Sequence, residues 1–128
     1  MNRRIILTAS FFGAVAVMFG AFGAHSLKNV LSADQLVTWT KGIEYQFYHT
    51  FALLFLSTFA RFRTKLVDIS YFCFTIGIIL FSGSLYLLAT REITQLGFVN
   101  IIGPVTPLGG LLLIVGWVML FFAALKNR

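Results

Sequence analysis

The chain is predicted to be all-α, a compact four-helix transmembrane bundle in which residues 1–128 form one integral membrane domain. Three observations carry this expectation. Four apolar stretches, about residues 5–24, 43–60, 69–90 and 107–125, each approach the length needed to cross a ~30 Å hydrocarbon core at 1.5 Å per residue. The composition, 59% hydrophobic and 11% charged, lies far from the roughly 45–50% and 25% of soluble domains. The longest polar connection, Ser26 to Gly42, is too short to build a core of its own, which leaves no room for a separate catalytic head.

The first stretch follows Arg3 and Arg4 and ends near the small residues Ala21 and Gly23, in outline like a secretory signal. Its apolar run exceeds the usual 7–15 residues of a signal core, so an uncleaved helix is expected. Leu31-Ser32-Ala33-Asp34-Gln35-Leu36 then reads as a hydrophobic staple around a capping box. A helix should begin there, carry Trp39 near the outer interface and enter the second span beyond Gly42. The third span follows the basic hairpin Arg61–Lys65, with which Asp68 is expected to pair, since a carboxylate entering lipid is costly unless neutralised. Cys73, the single cysteine, reads as a small packing residue. Thr106-Pro107 predicts the start of the fourth span, with Thr as N-cap and Pro at the first helical position. Gly103 and Pro104 should keep the preceding residues out of that helix, leaving Ile93 to Val105, with Leu96, Phe98, Val99, Ile101 and Ile102, as an apolar interfacial or shallow re-entrant segment.

Charge placement predicts orientation. Arg3, Arg4, Arg61, Arg63, Lys65, Lys126 and Arg128 fall on the side of the termini, against Lys28, Lys41 and Arg91 on the other. Seven basic residues against three near helix ends predict a multi-pass protein of the cell inner (plasma) membrane with both termini cytoplasmic. The net charge of +6 therefore reports topology, and no nucleic-acid partner is expected.

Inside lipid, helices associate through close packing, and small residues at regular spacing mark where backbones approach. The first helix carries Ala9, Gly13, Ala16, Gly20 and Ala24 within roughly 80° of one another, with Phe11, Met18 and Phe22 opposite. Cys73, Gly77 and Ser84 repeat the device on the third helix, and Gly109, Gly116 and Ala123 on the fourth. Seven-residue spacing matches left-handed packing, so these stripes are read as packing surfaces and not as a pore lining.

The polar side chains with functional potential gather in the outer half: His25, then Glu44, Tyr45, Gln46, Tyr48 and His49, and Ser82, Ser84 and Tyr86. Ionisable groups at membrane depth are functional candidates by default. Glu44 and His49 are five apart and about 140° round the helix, too far for a direct dyad. The spacing of His25, Glu44 and His49 matches no recognised zinc pattern. A structural interhelical hydrogen-bond network is the expected role, with a proton or ion relay and a metal site as alternatives.

Four segments resemble one family. Gly20-Ala-Phe-Gly-Ala-His25-Ser-Leu-Lys28, Tyr45-Gln-Phe-Tyr-His49, Phe81-Ser-Gly-Ser-Leu-Tyr86 and Gly103-Pro-Val-Thr-Pro-Leu-Gly-Gly110 are similar to the signature segments of the YgdD/YwdK-type small inner-membrane proteins, in the same order and over essentially the whole chain. The resemblance implies a four-span layout and a domain of unknown function, with no catalytic residue, cofactor or substrate to carry over.

The function expected from all this is that of a structural or interaction protein, an accessory subunit of a membrane assembly, in contact with the lipid bilayer and with a membrane-protein partner or a second copy. A minimal transporter or ion-conducting oligomer, with Glu44, His49 and Ser82 to Ser84 lining a path, is the runner-up. No enzyme is expected, because no Ser/His/Asp set, carboxylate pair or metal motif falls on one face. No metal and no cofactor are expected either.

Overall fold

A computed structural model describes residues 2–59, 64–95, 97 and 99–126. The fold is all-α: α1 (Arg3–His25), a 3-10 turn (Leu27–Asn29), α2 (Ala33–Phe59), α3 (Lys65–Ala89), a short α4 (Arg91–Thr94) and α5 (Val99–Lys126). Asn2 caps α1 by accepting from the Ile5 N–H at 3.3 Å, and its own N–H donates to the Ser57 carbonyl at 3.1 Å. That second bond ties the start of α1 to the end of α2 and makes the two helices antiparallel.

The capping box forms as its residues predict. Ser32 Oγ accepts from the Gln35 N–H at 3.2 Å, and Gln35 Oε1 accepts from the Ser32 N–H at 3.0 Å. α2 then runs unbroken through Gly42, so the second helix is longer than the expected span. Thr64 caps α3 by accepting from the Val67 N–H. Gln95, with φ 52°, ends α4 in the left-handed region.

α5 corrects the reading of residues 93–105. Thr106 does not cap a new helix; α5 starts at Val99 and contains both Pro104 and Pro107. Each proline removes one intrahelical donor, a cost that helices at membrane depth meet through neighbouring groups. The usual clash of a proline with the preceding Cβ is absent at Gly103. At Thr106 the hydroxyl that was expected to cap the helix lies 2.6 Å from Ser84 Oγ and ties α5 to α3. Leu96 and Phe98, also assigned to that segment, lie outside the described residues.

α1, α3 and α5 are long and apolar enough to cross a membrane; α2 is not among them. Its 27 residues suffice in length, but Asp34, Lys41, Glu44 and the run Tyr45 to His49 lower its apolarity. Among the described residues, three of the four expected apolar spans meet the length and apolarity of a crossing helix. The buried faces form two apolar clusters. One joins Ile5, Ala9, Leu53, Leu56, Phe74 and Leu120 toward the Arg4 end, and the other joins Leu27, Leu31, Trp39, Tyr86 and Ala89 toward the opposite end. Between them lies a layer of buried polar side chains.

Candidate functional site: a polar layer between the helices

Gln46 sits at the centre of that layer, 2% exposed. Its Nε2 donates to the Phe12 carbonyl of α1 at 2.7 Å, and its Oε1 accepts from the Tyr86 hydroxyl of α3 at 2.6 Å. The Tyr86 ring packs against Trp39 at 4.8 Å and edge-on against Phe19 at 4.9 Å, while Trp39 Nε1 donates to the Phe19 carbonyl at 3.0 Å. Gly42 admits this ring, since a Cβ there would lie 2.6 Å from Tyr86 Cε1. Ser82 Oγ closes the layer by donating to the Gly42 carbonyl at 2.7 Å. Three helices are therefore joined by side chains that reach across to backbone carbonyls and to one another.

His49 makes the second half of the site. Its Nδ1 lies 2.7 Å from the Tyr45 carbonyl, and the indole Nε1 of Trp117 on α5 donates to its Nε2 at 3.1 Å. A carbonyl only accepts and an indole N–H only donates, so these two partners select the neutral imidazole with its proton on Nδ1. The ring lies among Phe74 at 5.7 Å, Trp117 at 5.9 Å and Tyr45 at 6.2 Å. Ser84 bonds both to Thr106 Oγ1 and to the Phe81 carbonyl, at 2.6 and 2.8 Å.

Other expected members stay apart. His25 is exposed at the end of α1. Glu44 pairs with Lys41 at 3.2 Å on the surface, away from His49. Tyr45 and Tyr48 face outward, their rings 5.5 Å apart. Among the described residues no group of three or more His, Cys, Asp or Glu is placed to hold a metal ion. Asp68 pairs with Arg4 at 3.5 Å, both side chains largely exposed, and Arg4 also lies over the Tyr71 ring at 4.7 Å. Arg61 and Arg63 of the expected partner cluster are outside the described residues, as is Arg128.

Close approach is made by three of the five packing glycines. A Cβ at Gly109 would collide with the Phe81 backbone nitrogen, one at Gly77 would lie 2.6 Å from Leu113 Cδ2, and one at Gly116 would lie 2.7 Å from the Phe74 ring. Ser70 Oγ also donates to the Gly116 carbonyl at 2.9 Å, so α3 and α5 are held both by contact and by a hydrogen bond. At Gly13 a Cβ would make an ordinary 3.6 Å contact with Thr50. Gly20 is a correction: a Cβ there would meet nothing within 4 Å. The approach on that helix is made at Gly23, where a Cβ would lie 2.7 Å from Trp39 Nε1. The stripe is displaced because α1 buries Ala9, Phe12, Ala16 and Gly23, a face rotated from the small-residue row.

Trp39, Gly42, Gly23 and Trp117 are the contributors that sequence reasoning left out of the site, and Gln46, counted there only as one of several polar side chains, is its centre. Their signal was one of spacing. Gln35, Trp39, Gly42, Gln46, His49, Leu53 and Leu56 recur every three or four residues and are all buried. Hydropathy conceals the stripe because three of its members are polar.

Fold and site together define an all-helical membrane protein whose buried polar groups bind its helices to one another. The comparisons with known proteins give the family. Residues 19–110 match the family described as protein of unknown function (DUF423). The chain is 41% identical over 121 residues to a UPF0382 membrane protein of Staphylococcus saprophyticus, covering 94% of this chain and 96% of that protein. It is 36% identical over 128 residues to a UPF0382 membrane protein of Haemophilus influenzae, covering 100% and 98%. With the UPF0382 membrane protein YwdK of Bacillus subtilis it shares 35% identity over 123 residues, covering 94% and 95%. The chain belongs to this family of membrane proteins of unknown function, as its four signature segments implied. No solved structure matches it.

Proposed function

We propose that this protein is a structural or interaction protein of the inner membrane, an accessory subunit of a larger assembly, and neither an enzyme nor a transporter. One observation carries the reading. Each buried polar side chain among the described residues, namely Gln35, Gln46, His49, Thr50, Ser57, Ser70, Ser82 and Ser84, already has a hydrogen-bond partner within the protein. A relay or conduction path needs groups free to exchange partners, whereas these are committed: Gln46, His49, Ser70, Ser82 and Ser84 bond to a neighbouring helix, and Gln35, Thr50 and Ser57 bond within α2 or at its cap. Unsatisfied, each would cost several kcal/mol in hydrocarbon.

In this reading α2 is the fourth crossing. It touches α1 at Ser57–Asn2, Gln46–Phe12 and Trp39–Phe19, so it runs beside a helix apolar enough to span, over that helix's length. A helix packed in that way shares the same slab of lipid, and its polar groups are tolerable there because they face its neighbours. Both termini are then cytoplasmic, and Leu31 to Lys41 lies outside.

The test is purification in mild detergent with the tag at either terminus, alongside reconstitution into liposomes. A defined membrane protein recovered at fixed stoichiometry by both tags, with no proton or ion flux in the liposomes, is the expected result. Flux that disappears in a well-folded His49→Gln protein would replace this reading with the transporter.

A further inference from the structure

We propose that the groove between α2 and α5 is a binding site for a neutral, membrane-dissolved ring of the quinone class. The groove has a volume of about 690 Å³, within the roughly 300–1,000 Å³ of small-molecule sites. Tyr45 and Tyr48 of α2 form one wall, Phe81 of α3 the floor, and Gly110, Ile114 and Trp117 of α5 the other wall. His49 backs the groove, locked between Tyr45 and Trp117.

Three features select the ligand. No charged side chain lines the groove, so an ion would find no counter-charge there. The walls present π-faces in close order, with Tyr45 and Phe81 rings 4.9 Å apart and Tyr45 and Tyr48 rings 5.5 Å apart, which suits a flat ring stacked in offset or edge-on fashion. The hydroxyls of Tyr45 and Tyr48 have no hydrogen-bond partner among the described residues, whereas His49 and Trp117 are committed to each other. The groove therefore offers two spare donors and aromatic surface at membrane depth. A neutral ring with carbonyl acceptors on its edge uses both; an acyl chain uses neither. The larger apolar groove of about 800 Å³ bounded by Phe19, Ile79 and Ile102 carries no comparable set of spare donors. The inference concerns binding alone.

It rests on α2 lying in the bilayer, which labelling of a cysteine placed between Leu31 and Lys41 together with one at the C-terminus tests separately. The groove itself is tested in the full-length protein, reconstituted into quinone-free nanodiscs and titrated with a short-chain benzoquinone while tryptophan fluorescence is followed. Saturable quenching is expected in the wild type. Tyr45→Phe and Tyr48→Phe, which keep the rings, should each weaken it roughly threefold to tenfold. Gly110→Leu should remove it while the protein melts as a folded species, because a Cβ there makes only ordinary contacts of 3.6 and 3.7 Å with Phe81 and the longer side chain then fills the groove. An alkane of matching length, without a ring, should not compete. Linear quenching alone, saturable quenching undiminished in a folded Gly110→Leu protein, affinity unchanged in both phenylalanine variants, or full competition by the alkane would each overturn the assignment. Any of these in a protein whose outer-loop cysteine is labelled while its C-terminal cysteine is spared counts against the groove and leaves the crossing of α2 standing.

Discussion

The indole N–H of Trp117 donates to Nε2 of His49 at 3.1 Å, joining α5 to α2 across the Phe74 ring. This bond fixes both the tautomer of His49 and the partner of the tryptophan. His49→Leu should orphan the indole donor at membrane depth and cost about 1–3 kcal/mol, whereas His49→Gln keeps one donor and one acceptor and should retain most of the stability. Thermal melting in detergent compares the two, and equal losses would mean that shape, not the hydrogen bond, matters at this position.

Gln46 and Tyr86 should behave as a coupled pair. Tyr86→Phe leaves Gln46 Oε1 without its 2.6 Å donor, and Gln46→Leu leaves the Tyr86 hydroxyl without its acceptor. Each single change should cost about 1–3 kcal/mol, and the double variant less than the sum of the two, with a coupling of about 0.5–3 kcal/mol. A double-mutant cycle by melting measures it; strict additivity would remove Gln46 from the centre of the network.

Glycine substitutions should separate true contacts from spacing. Gly109→Ala drives a Cβ into the Phe81 backbone, which cannot swing aside, and should cost about 1–3 kcal/mol. Gly116→Ala meets the fully buried Phe74 ring, which would have to tilt against His49 and Trp117 but is a side chain and not backbone, and should cost somewhat less. Gly20→Leu points into open space and should stay within about 0.5 kcal/mol of the wild type. Melting of the three variants gives the order, and a Gly20→Leu protein as damaged as Gly109→Ala would point to a partner that covers this face.

Orientation is open to direct labelling. With Cys73 replaced, an impermeant thiol reagent applied to intact cells should modify a cysteine placed between Leu31 and Lys41 and spare one placed at either terminus. The reverse pattern would invert the orientation drawn from the seven-to-three basic bias. Labelling of the loop and the C-terminus, with the N-terminus spared, would remove α2 as a crossing.

Much of the helical order was legible because its signals are local. The Ser32–Gln35 capping box, the apolar runs of the first, third and last helices and the close-packing glycines Gly77, Gly109 and Gly116 depend on spacing along one helix, and spacing is what a sequence displays. The start of α5 was misread for the same reason. Gly103, Pro104, Thr106 and Pro107 are local stop and start signals, and the Thr106–Ser84 bond that helps to hold α5 on α3 joins residues 22 positions apart.

Composition and periodicity by themselves determined that this chain is helical, belongs in a membrane and carries polar groups on α2. Only the tertiary structure decided which of those groups matter to one another. Glu44 and His49, neighbours in sequence, part to the surface and the interior, while His49 finds Trp117 68 positions away and Gln46 finds both Phe12 and Tyr86. The reason is the relative rotation of the helices. A turn of a few tens of degrees leaves each helix's hydropathy unchanged yet exchanges every interhelical partner, and that rotation is set by the sum of contacts at Gly23, Gly42, Gly77, Gly109 and Gly116, which no single segment contains.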